Sequence, residues 1–139
     1  MKGLLFSVQK ALPLMGKGGS IILNASIVAT KGMPAFSVYS ATKAAVRNFA
    51  RGWTMNLKGT GIRVNVISTG PIKTPGLESI TDSSAEAIKQ FEDTMAASTP
   101  IGRIGQPSEI AKGAVYLASE DSSYVSGFDL VIDGGYAQV

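Results

Sequence analysis

The sequence predicts an α/β fold in which a small parallel sheet is layered with helices. Three observations predict it. Stretches with apolar residues at helical spacing alternate with short apolar runs in the order helix, strand, helix, strand, helix, strand, the order of crossover-connected parallel strands, with right-handed crossovers. The runs SIILNAS and IRVNVIS are apolar or β-branched along most of their length rather than alternating, as strands buried on both faces are. The chain of 139 residues, 45% hydrophobic and 17% charged, is long enough for one domain with a real core and too short for two ordinary ones.

Taken in order, Leu4, Leu5, Val8, Leu12 and Met15 recur at helical spacing and predict an amphipathic helix over 2–15, ending near Gly16. GKGG is a turn, and SIILNAS (20–26) is the first strand. After a loop through Gly32 and Pro34, a long helix is expected from Ser37, as its cap, to Lys58, stopped by GTG. This helix is apolar nearly all round: Val38, Ala41, Ala45, Phe49 and Trp53 cover one side, and Ala44, Ala50 and Leu57 extend it. Such a helix needs cover on more than one face, one from the sheet and the other from a neighbour such as a second copy. IRVNVIS (62–68) is the second strand, TGPIKTPG a turn-dense loop, and 84–96 a weaker helix. PSEIAKGAVYLAS is a helix with Pro107 in its first turn and Glu109 suited to the dipole there. FDLVID is the third strand, and GGYAQV closes the chain. Three parallel strands leave edges that parallel sheets normally keep covered.

Composition excludes several chemistries. With no cysteine there is no disulfide, thiolate metal site or cysteine nucleophile, and with no histidine there is no Ser-His-Asp triad. Acid–base work therefore falls to Tyr, Lys, Asp or Glu, and no metal site is expected. The net charge of +3 comes from 13 scattered Lys and Arg, a solvated surface rather than a nucleic-acid stripe. MKGLLFSVQK opens like a signal peptide, but its apolar run is short and broken by Gln9 and Lys10. No stretch has the ~18 apolar residues of a membrane span. A cytoplasmic protein without nucleic-acid or membrane partners is expected.

The chemistry-bearing feature is Tyr39 followed four places later by Lys43 in SVYSATKAAV, one turn apart on one helix face. Alone, the pair is more often an ordinary surface pair. Its company changes that reading. Ser26 lies at the carboxyl end of the first strand, thirteen residues before Tyr39, and Thr69 to Thr74 leave the second strand at the same edge, where ligands of open α/β sheets bind. No Gly-x-Gly-x-x-Gly follows a strand, so the phosphate-cradling turn of a dinucleotide fold is not in this stretch. GKGGS lacks the spacing of a P-loop, and DGG is a turn.

On SIILNAS, YSATKAAV, GIRVNVISTGPIKTP, GRIGQPSEIAKGAVYLAS and SSYVSGFDLVIDGGYAQV, in family order and spacing, the chain resembles the short-chain dehydrogenase/reductase family along essentially its whole length. The resemblance implies one partial Rossmann-like domain over 1–139, the C-terminal strands and helices of a doubly wound parallel sheet, without the N-terminal half that carries the glycine-rich cofactor loop. It implies an NAD(P)-dependent oxidoreductase that interconverts a carbonyl and an alcohol. Ser26 would hold the substrate oxygen, and Tyr39 would be the acid in reduction and the base in oxidation. Lys43 would bind the ribose hydroxyls of NAD or NADP and favour the phenolate. An unaided phenol is a poor base near neutrality, and an adjacent ammonium favours its ionised form.

In the loop after the second strand, Gly70 and the backbone of Ile72 would approach the nicotinamide, and Thr74 its carboxamide or the pyrophosphate. Thr69 stands where the family usually has proline, a departure expected to loosen the turn. The family's catalytic asparagine would fall one position before Met1. Residues 76–105 correspond to the variable substrate lid, in which Leu77, Ile80, Phe91 and Met95 read better as lid packing than as substrate contacts. Family members commonly assemble as dimers or tetramers, so a homo-oligomer and a small-molecule substrate are the expected partners. The alternative is a non-catalytic half-domain that serves only as an assembly or interaction module.

Overall fold

A computed structural model describes residues 1–78 and 84–139. Strands β1 (Ser20–Asn24), β2 (Arg63–Thr69) and β3 (Asp129–Ile132) form one parallel sheet in the order β1-β2-β3. The register sets Leu23 beside Val66 and Ile67 beside Leu130. Around the strands run α1 (Lys2–Ala11), α2 (Ser37–Asn56), the one-turn α3 (Pro75–Glu78), α4 (Ala85–Ala97) and α5 (Pro107–Ala118), with short 3-10 turns at Leu12–Leu14, Ile27–Ala29 and Glu120–Ser122. The α/β class, the parallel sense and the element order are those the sequence predicts. No helix among the described residues is long and apolar enough to cross a membrane.

The differences in element bounds have local causes. The first helix stops at Ala11 and tightens into the 3-10 turn, because Pro13 lacks the N–H that an α-helix needs there. Ser37 does not cap α2. The cap is Phe36, whose carbonyl takes the first helical hydrogen bond from Ser40 N at 2.7 Å, after Ala35 turns the chain with a left-handed φ of 65°. Ser84, by contrast, caps α4 by accepting a hydrogen bond from Ala87 N at 3.1 Å.

Leu23, Ala25, Val46, Ala50, Val64 and Val66 form the buried core, with Leu4, Val8, Phe49 and Trp53 packed round it. Phe49 stacks on Trp53 at 4.8 Å between ring centroids. Val46 and Ala50 are the fully buried residues of α2. Val38, placed by the sequence on the same covered side as Phe49, is 78% exposed instead, and Met55 is 70% exposed.

Two polar side chains of β2, the half-buried Arg63 and the buried Asn65, fix how the strands meet their surroundings. The Arg63 guanidinium donates to Leu117 O (2.9 Å), Ser119 O (3.2 Å) and Ser122 Oγ (2.8 Å), and Ser20 Oγ also donates to Leu117 O. The carbonyl end of α5 is thereby supplied with donors and positive charge. Asn65, fully buried, donates to Val125 O at 2.8 Å and accepts from Phe128 N at 3.0 Å, tying the loop entering β3 to β2 beside the backbone bonds Gly127 N to Val64 O and Val66 N to Phe128 O.

Candidate active site

Because the strands are parallel, all three carboxyl ends open on one edge of the sheet. Ser26 leaves β1 there. Ala25 N donates to Ile67 O at 2.8 Å, which carries the β1–β2 pairing to the residue before it. Ser26 itself is extended (φ −162°, ψ 156°), half-buried, and caps the Ile27–Ala29 turn. Its Oγ lies 3.5 Å from Val28 N, a long and weak contact that leaves the hydroxyl proton available to another acceptor.

The loop from Ile27 to Phe36 brings the chain back to α2. Lys31 Nζ donates to Tyr136 O at 2.8 Å and sits 4.7 Å over the Tyr136 ring, tying this loop to the C-terminal segment. Phe36, just after the left-handed Ala35, meets the Tyr39 ring edge-on, with centroids 6.0 Å apart at 75°. Tyr39 stands in the first turn of α2 and is 45% exposed. One turn on, Lys43 Nζ lies 5.5 Å from the centre of the Tyr39 ring and donates to Asn24 O at 3.1 Å. The long lysine stem thus spans from the phenol to the carboxyl end of β1, two residues before Ser26. Ser26, Tyr39 and Lys43 share this corner.

Gly70, Ile72 and Thr74 follow β2 at the same edge. Thr69 does not loosen the turn as expected. It remains in β2 opposite Ile132, and Gly70 N donates to Ile132 O at 3.0 Å. A threonine has the backbone freedom to stay in the strand register. Gly70 is required by close approach, since a Cβ there would lie 2.7 Å from both Cα and Cβ of Asp133. Asp133 is itself buried, accepting from Gly135 N (2.9 Å), Ala137 N (2.8 Å) and Gln138 Nε2 (3.3 Å), so it has little room to yield. Gly70→Ala is expected to cost about 1–3 kcal/mol of stability, measured by urea unfolding. An unchanged midpoint would contradict the crowding argument.

Beyond Gly70, Ile72 pairs with Gly105 in an isolated parallel bridge, and Lys73 Nζ reaches the Glu92 carboxylate of α4 at 3.0 Å. Within the lid segment, Phe91 and Met95 are half-buried. The side chain of Leu77 and the whole of Ile80 lie outside the described residues.

Sequence reading missed two features here. Phe36, the ring against Tyr39, carries no spacing signal, because a left-handed alanine precedes it. The second feature, Arg103 with Glu109, had a signal in Gln106 and Glu109 at capping-box spacing. Glu109 accepts from Gln106 N while the Gln106 side chain accepts from the Glu109 backbone N–H, closing the box at the start of α5. The Arg103 guanidinium grips the same carboxylate at 2.7 and 2.8 Å. That hydrogen bond first, and then the one from Gln106 N, lower the Glu109 pKa from its ordinary 4.5 to about 2. Because the folded value is depressed, the stabilisation is full above the ordinary carboxylate range and is lost as pH falls from about 4.5 through about 2.

Known proteins resemble this chain in sequence and fold. A family model described as enoyl-(acyl carrier protein) reductase matches residues 1–137. Oxidoreductase asL5 of Sarocladium schorii is 44% identical over 142 residues, covering 100% of this chain and 54% of that protein. The ligand-free aldohexose dehydrogenase of Thermoplasma acidophilum superposes with a TM-score of 0.91 at 26% identity, over 99% of this chain and 56% of that one. A gluconate 5-dehydrogenase from Burkholderia cenocepacia, solved with NADP and tartrate, superposes at 0.77 with 33% identity, over 87% of this chain and 46% of that one. The chain spans about half the length of these relatives.

Proposed function

Since the chain belongs to the short-chain dehydrogenase/reductase family, a family of NAD(P)-dependent oxidoreductases, we propose that it carries the proton-transfer side of a site that interconverts a carbonyl and an alcohol. The observation that carries this reading is the placement of Lys43 Nζ, 5.5 Å from the centre of the Tyr39 ring and 3.1 Å from Asn24 O. The ammonium is thereby held between the phenol ring and the carboxyl end of β1. It also has two further N–H groups for ligand hydroxyls.

In reduction, the Ser26 hydroxyl donates a hydrogen bond to the substrate carbonyl oxygen, and the Tyr39 phenol gives that oxygen its proton. In oxidation, the phenolate takes the proton back from the alcohol. Lys43 sits beside the phenol and orients ribose hydroxyls. The donor set fits a nicotinamide dinucleotide: an ammonium for the ribose, the Thr74 hydroxyl for the carboxamide or the pyrophosphate, and the tight backbone at Gly70 and Ile72 for a flat ring. When bound, NAD or NADP supplies the hydride, which no side chain in this chain can provide. The exposed apolar side chains that α2 carries, Val38 in its first turn and Met55 in its last, are read as contacts for a second copy.

Two preparations test the proposal: the 139-residue chain, and the chain expressed with any in-frame sequence that precedes Met1. In calorimetry the 139-residue chain is expected to bind NAD(H) and NADP(H) weakly or not at all, because no Gly-x-Gly-x-x-Gly turn follows a strand within it. Micromolar binding by it would contradict that division of labour. The longer protein is expected to bind cofactor and to reduce a carbonyl substrate, followed by nicotinamide absorbance. Cofactor binding without turnover on any carbonyl or alcohol tried would sink the oxidoreductase reading. Oligomers that bind no cofactor would favour an assembly module instead.

A further inference from the structure

Residues Pro71 to Lys73 are held to the rest of the protein by Gly105. Gly105 N donates to Pro71 O at 2.9 Å and Lys73 N donates to Gly105 O at 2.9 Å, one on each side of the Ile72–Gly105 bridge. The approach is close enough that a Cβ at Gly105 would lie 2.5 Å from Ile72 Cδ1. Gly105 in turn sits between two residues bound to one carboxylate. Arg103 Nη1 and Nη2 donate to Glu109 Oε2 (2.8 Å) and Oε1 (2.7 Å), and Gln106 N donates to Glu109 Oε2 at 2.8 Å. Arg103 Nη1 also donates to Ile104 O at 3.2 Å, so the guanidinium grips the strip it belongs to. A bidentate, charge-assisted pair of this kind fixes direction as well as distance. A cavity of about 110 Å³ lined by Pro71, Ile72, Arg103, Gly105, Glu109 and Asp133 lies alongside. That void gives Ile72 space to move once the clamp is released.

We propose that Glu109, held by Arg103, is a positioning residue for the cofactor side of the site, fixing Ile72 to Thr74 through Gly105. This rests on the reading of Ile72 and Thr74 as cofactor contacts. Capping α5 is a separate role of the same side chain, and the two roles separate by substitution. In Glu109→Gln, glutamine serves at the third position of a capping box as glutamate does, but the ionic fork to Arg103 is lost.

The test is amide hydrogen exchange by NMR on the unsubstituted chain, Glu109→Gln and Arg103→Ala. Cofactor KM and kcat are measured on the protein expressed with any in-frame sequence that precedes Met1. Both substitutions are expected to speed exchange at Lys73 and Gly105 by about tenfold, while amides of Val66 in β2 and Leu117 in α5 keep their protection. Cofactor KM is expected to rise about fivefold or more with kcat little changed. Unchanged exchange at Lys73 and Gly105 in both variants overturns the clamp, as does faster exchange throughout α5, which would mean capping alone. Faster exchange with an unchanged cofactor KM overturns the positioning role. Failure of the underlying reading shows elsewhere: no magnetisation transfer from bound NAD(H) or NADP(H) to the backbone amide of Ile72 in the unsubstituted protein removes Ile72 as a contact, whatever the exchange rates of the variants.

Discussion

Tyr39→Phe is expected to lower kcat by about two to four powers of ten, the usual contribution of a positioned proton donor, with cofactor affinity within about twofold of the unsubstituted protein. The change is well suited to the question because it deletes one oxygen and keeps the ring. Phe36 still meets that ring edge-on at 6.0 Å, and Lys43 keeps its hydrogen bond to Asn24 O at 3.1 Å. The ammonium that holds the ribose in the proposed mechanism therefore stays in place while the transferable proton disappears. Lys43→Ala should behave differently, weakening cofactor binding and turnover together. Retained turnover in Tyr39→Phe, at fixed substrate and saturating cofactor, would overturn the assignment of the phenol.

Asn65→Ala should destabilise the fold by about 2–4 kcal/mol, seen as a lowered urea midpoint with the slope retained. The side chain is fully buried, and each end of its amide serves a backbone group of the loop before β3, Val125 O at 2.8 Å and Phe128 N at 3.0 Å. Alanine leaves a buried donor and a buried acceptor without partners and opens a void beside them. Since Val66 N pairs with Phe128 O at 2.8 Å, slack in this loop is passed to the β2–β3 register. The same loss reaches the edge where Gly70 meets Asp133, so the substitution should weaken the site as well as the fold. A loss below about 1 kcal/mol would contradict the argument from unsatisfied groups.

How much of this was legible depends on the range over which each interaction acts. β1, β2 and β3 were readable because each is a short, mostly apolar run bounded by turn residues, although only β2 is buried along most of its length, and α2 was readable because its period persists for five turns. Tyr39 and Lys43 were readable because one helical turn converts a spacing of four into adjacency. Ser26 and the segment from Gly70 to Thr74 became candidates through the topology rule for strand ends, and the parallel order β1-β2-β3 puts them on one edge.

The illegible parts are long-range or conformational. Asn65 lies inside an apolar run, and nothing local says that its amide holds a loop sixty residues away. Arg63 looks like a strand-end charge and instead caps α5 across fifty-four residues. Ala35 has no local mark of a left-handed φ, so the start of α2 was misplaced by one residue. Gly105 lies in what reads as a plain loop, and its pairing with Ile72 depends on two segments that meet only in the fold.

The most direct measurement of the central claim is deuterium transfer. The protein, expressed with any in-frame sequence that precedes Met1, is supplied with a carbonyl substrate and dihydronicotinamide cofactor deuterated at the transferable position, and the alcohol product is read by mass spectrometry. The account predicts deuterium on the former carbonyl carbon with the unsubstituted protein and background levels with Tyr39→Phe, although calorimetry still detects bound cofactor in the variant. Equal deuterium incorporation by the two proteins would contradict it.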